Sequence, residues 1–127
     1  MGRRKKATSR KIGGFLHSRH RFLRYYIYIL YSPGSDRYYV GYTYDVGARL
    51  KDHNEGDRPD QSTKYTFKHR PWELKASFLV GPDRGMAMKV ERFIKRQKSR
   101  KFIEKVIESQ HDEEKLALLV RVPTRRD

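Results

Sequence analysis

Three groups of residues in this chain have types and spacings that suit chemistry on a phosphodiester. The first is a set of tyrosines. In an extended strand, residues two apart share a face, so Tyr26 and Tyr28 point the same way, and Tyr39 on a partner strand can join them. Such phenols line a phosphate site or pack as core. The second is Arg49 with His53, four apart on one side of a helix and flanking the apolar pair Val46 and Leu50. A planar guanidinium at the rim of a buried face can bind two phosphate oxygens and neutralise developing charge. The plainer alternative is a solvated helix face on which Arg49 pairs with Asp52. The third is Glu91, which follows Ala87 and precedes Ile94 in an i, i+4, i+7 pattern that sets a carboxylate beside an apolar stripe. A half-buried carboxylate is costly unless it is paired or holds a metal ion. A hard divalent cation needs one or two protein carboxylates, the other ligands being water and phosphate oxygens. An ion pair with Lys95 or Arg92 would satisfy Glu91 equally well.

These groups are useful only if the chain brings them together. Tyr25 to Tyr31 is rich in β-formers, Ser32-Pro33-Gly34-Ser35-Asp36 is turn chemistry, and Arg37 to Tyr42 is a second β-rich run, so the pair predicts a hairpin. Thr43 or Asp45 caps a following helix that ends near Asn54-Glu55-Gly56. Residues 57–71 are polar, contain two prolines and read as a loop. Trp72 to Val80 predicts a third strand. Gly81-Pro82-Asp83 breaks it, and Asp83 caps a long helix running to about Lys98. A last helix over Ser99 to Ser109 buries Phe102, Ile103, Val106 and Ile107. The expected fold is therefore α/β in the α+β sense. A small, mainly antiparallel three-stranded sheet is flanked by helices, in the order β-β-α-β-α-α.

Both ends differ in texture from this unit. Residues 1–24 hold Arg3, Arg4, Lys5, Lys6, Arg10, Lys11, Arg19, Arg21 and Arg24 and no acidic residue. Self-repulsion and scarce apolar residues predict a disordered, solvated basic arm. It can serve as a phosphate-binding arm, a solubilising extension or an Arg-rich organellar presequence. Residues 110–127 read as a C-terminal tail, either a short edge strand or a frayed end. The domain proper is expected over 25–109.

Composition narrows the partner. The chain has 127 residues, enough for one domain, and 30 Lys plus Arg against 15 Asp plus Glu give a formal net charge of +15. That charge attracts polyanions, and nucleic acid is the commonest. No membrane association is expected, because no apolar run approaches the roughly 20 residues that span a bilayer and the arm lacks a broad apolar face. The absence of cysteine excludes disulfides and thiolate metal sites.

Taken in order, these positions resemble the GIY-YIG nuclease family. Tyr26-Ile27-Tyr28 stands at the first motif and Tyr39-Val40-Gly41 at the second. Arg49, His53 and Glu91 follow at the expected places, with Thr43, Ser62-Thr63-Lys64-Tyr65 and Pro71-Trp72-Glu73-Leu74 between them. The likeness covers about 25–108 and is greatest to a small stand-alone bacterial branch related to the nuclease domain of nucleotide excision repair. It implies a metal-dependent endonuclease acting on DNA, in repair, recombination or processing of structured DNA. One of Tyr28 and Tyr39 would be the general base or position the attacking water. Arg49 would bind the scissile phosphate, and His53 would orient or deprotonate the nucleophile. Glu91 would hold one Mg²⁺ or Mn²⁺, Lys64 would add a phosphate contact, and Gly41 would be structural.

The resemblance further implies a cytoplasmic, nucleoid-associated bacterial protein, with a monomer favoured. A non-catalytic nucleic-acid-binding module of the same fold and an RNA-associated accessory protein are the competing expectations. The chain departs from the family pattern in three places. Tyr26 replaces the opening glycine, Tyr42 stands where some relatives have a basic side chain, and no Asn follows Asn54.

Overall fold

The computed structural model describes residues 23–57 and 64–120. The elements are β1 (Tyr25–Ser32), β2 (Arg37–Thr43), α1 (Val46–Glu55), α2 (Lys64–Lys68), β3 (Glu73–Gly81), α3 (Arg84–Arg96), α4 (Arg100–Glu108) and α5 (Glu113–Val120). The strands form one antiparallel sheet in the order β2-β1-β3, which leaves β2 and β3 as edges. The hairpin register sets Tyr28 opposite Gly41, Ile29 opposite Val40 and Leu30 opposite Tyr39. Across the other side of β1, Ile27 faces Phe78 and Ile29 faces Ala76.

Strand alternation divides these residues between two faces. On one face Ile27, Ile29, Val40, Ala76 and Phe78 join Val90 and Ile94 of α3, Val106 of α4, and Leu116 and Val120 of α5 in the main core. On the other, Tyr28, Leu30 and Trp72 make a smaller cluster with Tyr39 and with Val46 and Leu50 of α1. Each fully buried aliphatic side chain contributes about 1.5–3 kcal/mol, so the first face carries most of the stability. The second is free to be built from phenols and an imidazole.

The helix starts follow cap chemistry. The Asp45 carboxylate accepts from Ala48 N at 3.0 Å, Asp83 from Gly85 N at 2.8 Å, and the Ser99 hydroxyl from Phe102 N at 3.0 Å. Each satisfies a backbone donor that the first turn leaves orphaned. At the hairpin turn, Asp36 adopts a left-handed conformation with φ of 54°. Its carboxylate accepts from the Tyr31 hydroxyl at 2.7 Å and pairs with Arg100 of α4. The Tyr31 hydrogen bond, followed by the Arg100 guanidinium, holds its pKa below the usual carboxylate range.

Two expectations are corrected. The segment 57–71 is not all loop, because the five residues Lys64–Lys68 form α2. The segment 110–127 includes a helix, α5, where an edge strand or frayed end was expected; Leu116 and Val120 anchor it in the main core. The order is therefore β-β-α-α-β-α-α-α. Most of the basic arm, 1–22, lies outside the described residues. Among the described residues, no helix is long and apolar enough to cross a membrane.

Candidate active site

The site lies at the β2 edge of the sheet. There α1 on one face and α3 on the other both reach a pocket of about 550 Å³, lined by Tyr28, Tyr39, Arg49 and Glu91 among others. The two helices pack in different clusters, yet the guanidinium of one and the carboxylate of the other meet in this common space.

Tyr28 is its floor. The residue is 2 % exposed, and its ring lies over Gly41, where an added Cβ would come within 2.5 Å of the phenol oxygen. A glycine is required at that position because any side chain would displace the ring. Burial, followed by the neighbouring Tyr39 phenol, pushes the Tyr28 pKa well above its ordinary value of 10.0; a hydrogen bond from Arg49 and its charge oppose the rise without cancelling it. Tyr28 therefore stays a neutral phenol with a proton to donate. Its ring centroid is 6.3 Å from that of Tyr39, and Tyr39 in turn stacks on Tyr65 of α2 at 6.2 Å.

His53 departs from expectation. The helical spacing set it at the rim of α1 beside Arg49, but its side chain is fully buried and does not line the pocket. The reason is a polar chain running inward from the site. The Tyr28 hydroxyl is 2.8 Å from His53 Nε2, and His53 Nδ1 is 2.6 Å from the Thr66 hydroxyl. The neutral Tyr28 hydroxyl can donate to Nε2 when His53 carries its proton on Nδ1, the nitrogen that faces Thr66. Buried polar groups persist when hydrogen-bonded in this way. His53 thus meets the pocket from behind, through its hydrogen bond with Tyr28 and its edge-on contact with the Tyr39 ring at 5.3 Å.

Thr66 is a residue that reading the sequence missed. It is fully buried in α2, and its backbone carbonyl accepts from Trp72 Nε1 at 2.8 Å. Further ties fix the end of α1. Asn54 Nδ2 donates to Trp72 O at 2.9 Å while Trp72 N donates to Asn54 Oδ1 at 2.7 Å, and Arg70 Nε donates to His53 O at 2.7 Å. Short motifs do not reveal such a support; the nearest signal was Pro71-Trp72, three residues after the end of α2.

Arg49 is half-buried and remains at the rim. Burial opposes its charged form, but the Tyr28 hydrogen bond and the nearby phenols outweigh that and raise its pKa. Its contact with Asp52 is long, at 3.8 Å. Exposed pairs of that kind are worth at most about 1 kcal/mol. Glu91, with its side chain 20 % exposed, is the one carboxylate among the pocket-lining residues, and Lys95 Nζ lies 2.9 Å from it. Lys95 also sits over the Tyr39 ring at 5.2 Å.

No group of three or more His, Asp or Glu side chains capable of caging a metal occurs among the described residues. A single carboxylate in an open, phenol-lined pocket nevertheless fits a hard ion of the Mg²⁺ kind, which keeps most of its ligands as water and substrate oxygens. Besides His53, two expected members are not in the pocket. Lys64 is exposed at the start of α2, and Tyr26 lines a separate groove along β3, while Tyr25 lines the site instead.

A model of the GIY-YIG catalytic domain matches residues 24–105. The chain belongs to the GIY-YIG family. GIY-YIG domains are generally nucleases, so the implied substrate is nucleic acid. No curated protein and no solved structure matches the chain. The two GIY-YIG motif tripeptides lie on paired strands, β1 and β2, with Tyr28 of the first facing Gly41 of the second. The GIY-YIG match ends within α4, so α5, which completes the main core, lies beyond it.

Proposed function

We propose that the protein is a divalent-metal-dependent endonuclease that hydrolyses DNA phosphodiester bonds, working in DNA repair, recombination or the processing of structured DNA in the bacterial cytoplasm. The observation that carries the proposal is the common pocket of Tyr28, Tyr39, Arg49 and Glu91 in a chain of a nuclease family.

In this reading Arg49 grips the scissile phosphate through two of its oxygens and offsets the charge that builds up in the pentavalent transition state. Tyr28 is the general base. Its neutral phenol is a poor base alone, but a proton leaving the attacking water can move to the Tyr28 oxygen while the Tyr28 proton moves to His53 Nε2. The water oxygen bonds to phosphorus as the phosphorus–oxygen bond of the leaving group breaks; solvent supplies the leaving oxygen's proton, and the proton taken up by His53 returns through Tyr28 to solvent. Tyr39 orients the water from the opposite wall. His53 and Thr66 are positioning residues, acting through Tyr28. Glu91 would hold Mg²⁺ or Mn²⁺, which when bound supplies Lewis-acid polarisation of the phosphate; Lys95 must then release the carboxylate.

A second reading is a non-catalytic nucleic-acid-binding module. It is favoured by the Glu91–Lys95 pair, which already satisfies the carboxylate. Nicking of supercoiled plasmid separates the two. The endonuclease reading expects nicks with Mg²⁺ or Mn²⁺ and none in EDTA. Binding without cleavage of supercoiled plasmid, flap or single-stranded DNA in every metal tried leaves only the module.

A further inference from the structure

The site pocket has a second wall that hydrolysis does not use. Tyr25, Tyr42, Tyr44 and Arg84 line it together with the residues described above. The rings of Tyr25 and Tyr42 are 6.4 Å apart and those of Tyr25 and Tyr44 are 6.3 Å apart, both edge-to-face. The Arg84 guanidinium lies 5.7 Å from the centre of the Tyr42 ring. Tyr42 packs partly on the main core, so its position has an ordinary structural cause. Tyr44 has no such cause: it is 61 % exposed and meets Tyr25 edge-on rather than stacked. Leaving a large aromatic in water at the mouth of a cationic pocket forgoes the stability that burying it would bring.

We propose that Tyr25, Tyr42 and Tyr44 form a stacking shelf for an unpaired base of the DNA strand whose phosphate enters between Arg49 and Glu91, so that the protein selects strands with an unpaired nucleotide beside the scissile bond. The proposal rests on the nucleic-acid substrate reading above and names its class. Every nucleobase presents a π-face, and a protein that binds single strands characteristically pairs aromatic side chains with a positive groove along the backbone. Arg84 supplies that charge on this wall, as Arg49 does on the other. A base held in a duplex is stacked on its neighbours and does not offer its face to Tyr44. An unpaired base in a flap, gap or single strand does. The shelf thus discriminates by base pairing rather than by sequence, as suits a domain with little surface for reading base edges.

Binding is measured by fluorescence anisotropy with the full chain in EDTA, so that no cleavage intervenes. The probes are a labelled mixed-sequence single strand and the blunt duplex that contains it. The wild type is expected to prefer the single strand. Tyr44→Leu is expected to lower single-strand affinity about 5- to 100-fold and duplex affinity much less, which collapses the preference. Tyr44→Trp, which keeps a stacking face, retains it. An unchanged preference in Tyr44→Leu, or a Tyr44→Trp protein as unselective as Tyr44→Leu, overturns the shelf. Cleavage by the wild type in Mg²⁺ or Mn²⁺, followed on both the labelled single strand and supercoiled plasmid, reports on hydrolysis whichever strand is preferred, so failure of either proposal is recognised without the other.

Discussion

Tyr28 and Gly41 stand directly opposite each other on β1 and β2, and the phenol of the first fills the space in which the second would carry a side chain. That one cross-strand pair explains why the hairpin needs both motif positions. The glycine lets the ring lie flat on its neighbour strand, and the ring's hydroxyl then reaches His53 at the back of the pocket.

Gly41→Ala is therefore expected to force the Tyr28 ring aside, since the new Cβ would meet ring atoms at 2.5–2.9 Å. Overpacking of this kind costs about 1–3 kcal/mol. Urea unfolding should show a lower midpoint and an unfolding free energy reduced by that amount, with nicking lost beyond what the folded fraction explains. Unchanged stability would mean the ring moves away at no cost and is not fixed by the glycine.

The raised pKa of Tyr28 has a consequence at high pH. Burial holds the folded phenol neutral, while the unfolded phenol ionises near its ordinary value of 10.0. Its contribution to stability is complete below pH 10 and declines as pH rises beyond that toward the folded value. Tyr28→Phe removes that decline. Unfolding measured from pH 8 to 11 should show a shallower loss of stability above pH 10 in Tyr28→Phe than in wild type. Parallel curves would mean the hydroxyl ionises freely in the folded protein. At neutral pH, Tyr28→Phe should also lose roughly 10²–10⁴-fold in kcat, the range for a general base.

Thr66 tests the inward chain. Thr66→Val keeps the shape and removes the hydroxyl that faces His53 Nδ1, at a cost of about 1–3 kcal/mol, the range for removing one side of a buried hydrogen bond. A fall of roughly tenfold in kcat with KM unchanged is expected, with Thr66→Ser restoring the rate. Equal losses in Thr66→Val and Thr66→Ser would assign the effect to packing.

How much of this was legible in the sequence depended on whether the deciding interactions were local. The hairpin, α1, β3, α3 and α4 were, because alternation, Ser-Pro-Gly turn chemistry and the Asp45, Asp83 and Ser99 caps all act within a few residues. Helix α2 was not: Lys64–Lys68 is barely longer than one turn, too short to show a period. Helix α5 was hidden by the unbroken run Leu116-Ala117-Leu118-Leu119-Val120, which lacks a polar face and suits a strand equally well. In the site, spacing set Arg49 and Glu91 beside apolar stripes, and the family resemblance, not the spacing, singled them out from ordinary surface ion pairs. The depth of His53 was not, because it is set by Thr66 thirteen positions away and by Tyr28 twenty-five positions away.

The most direct measurement is metal-dependent nicking of supercoiled plasmid by wild type, Glu91→Ala and Arg49→Ala proteins purified in parallel, with DNA binding followed alongside. Both side chains are partly exposed at the pocket, so both variants should fold. The account predicts nicking by wild type with Mg²⁺ or Mn²⁺, none detectable from either variant, and DNA binding retained by both. Nicking by Glu91→Ala at the wild-type rate would contradict it.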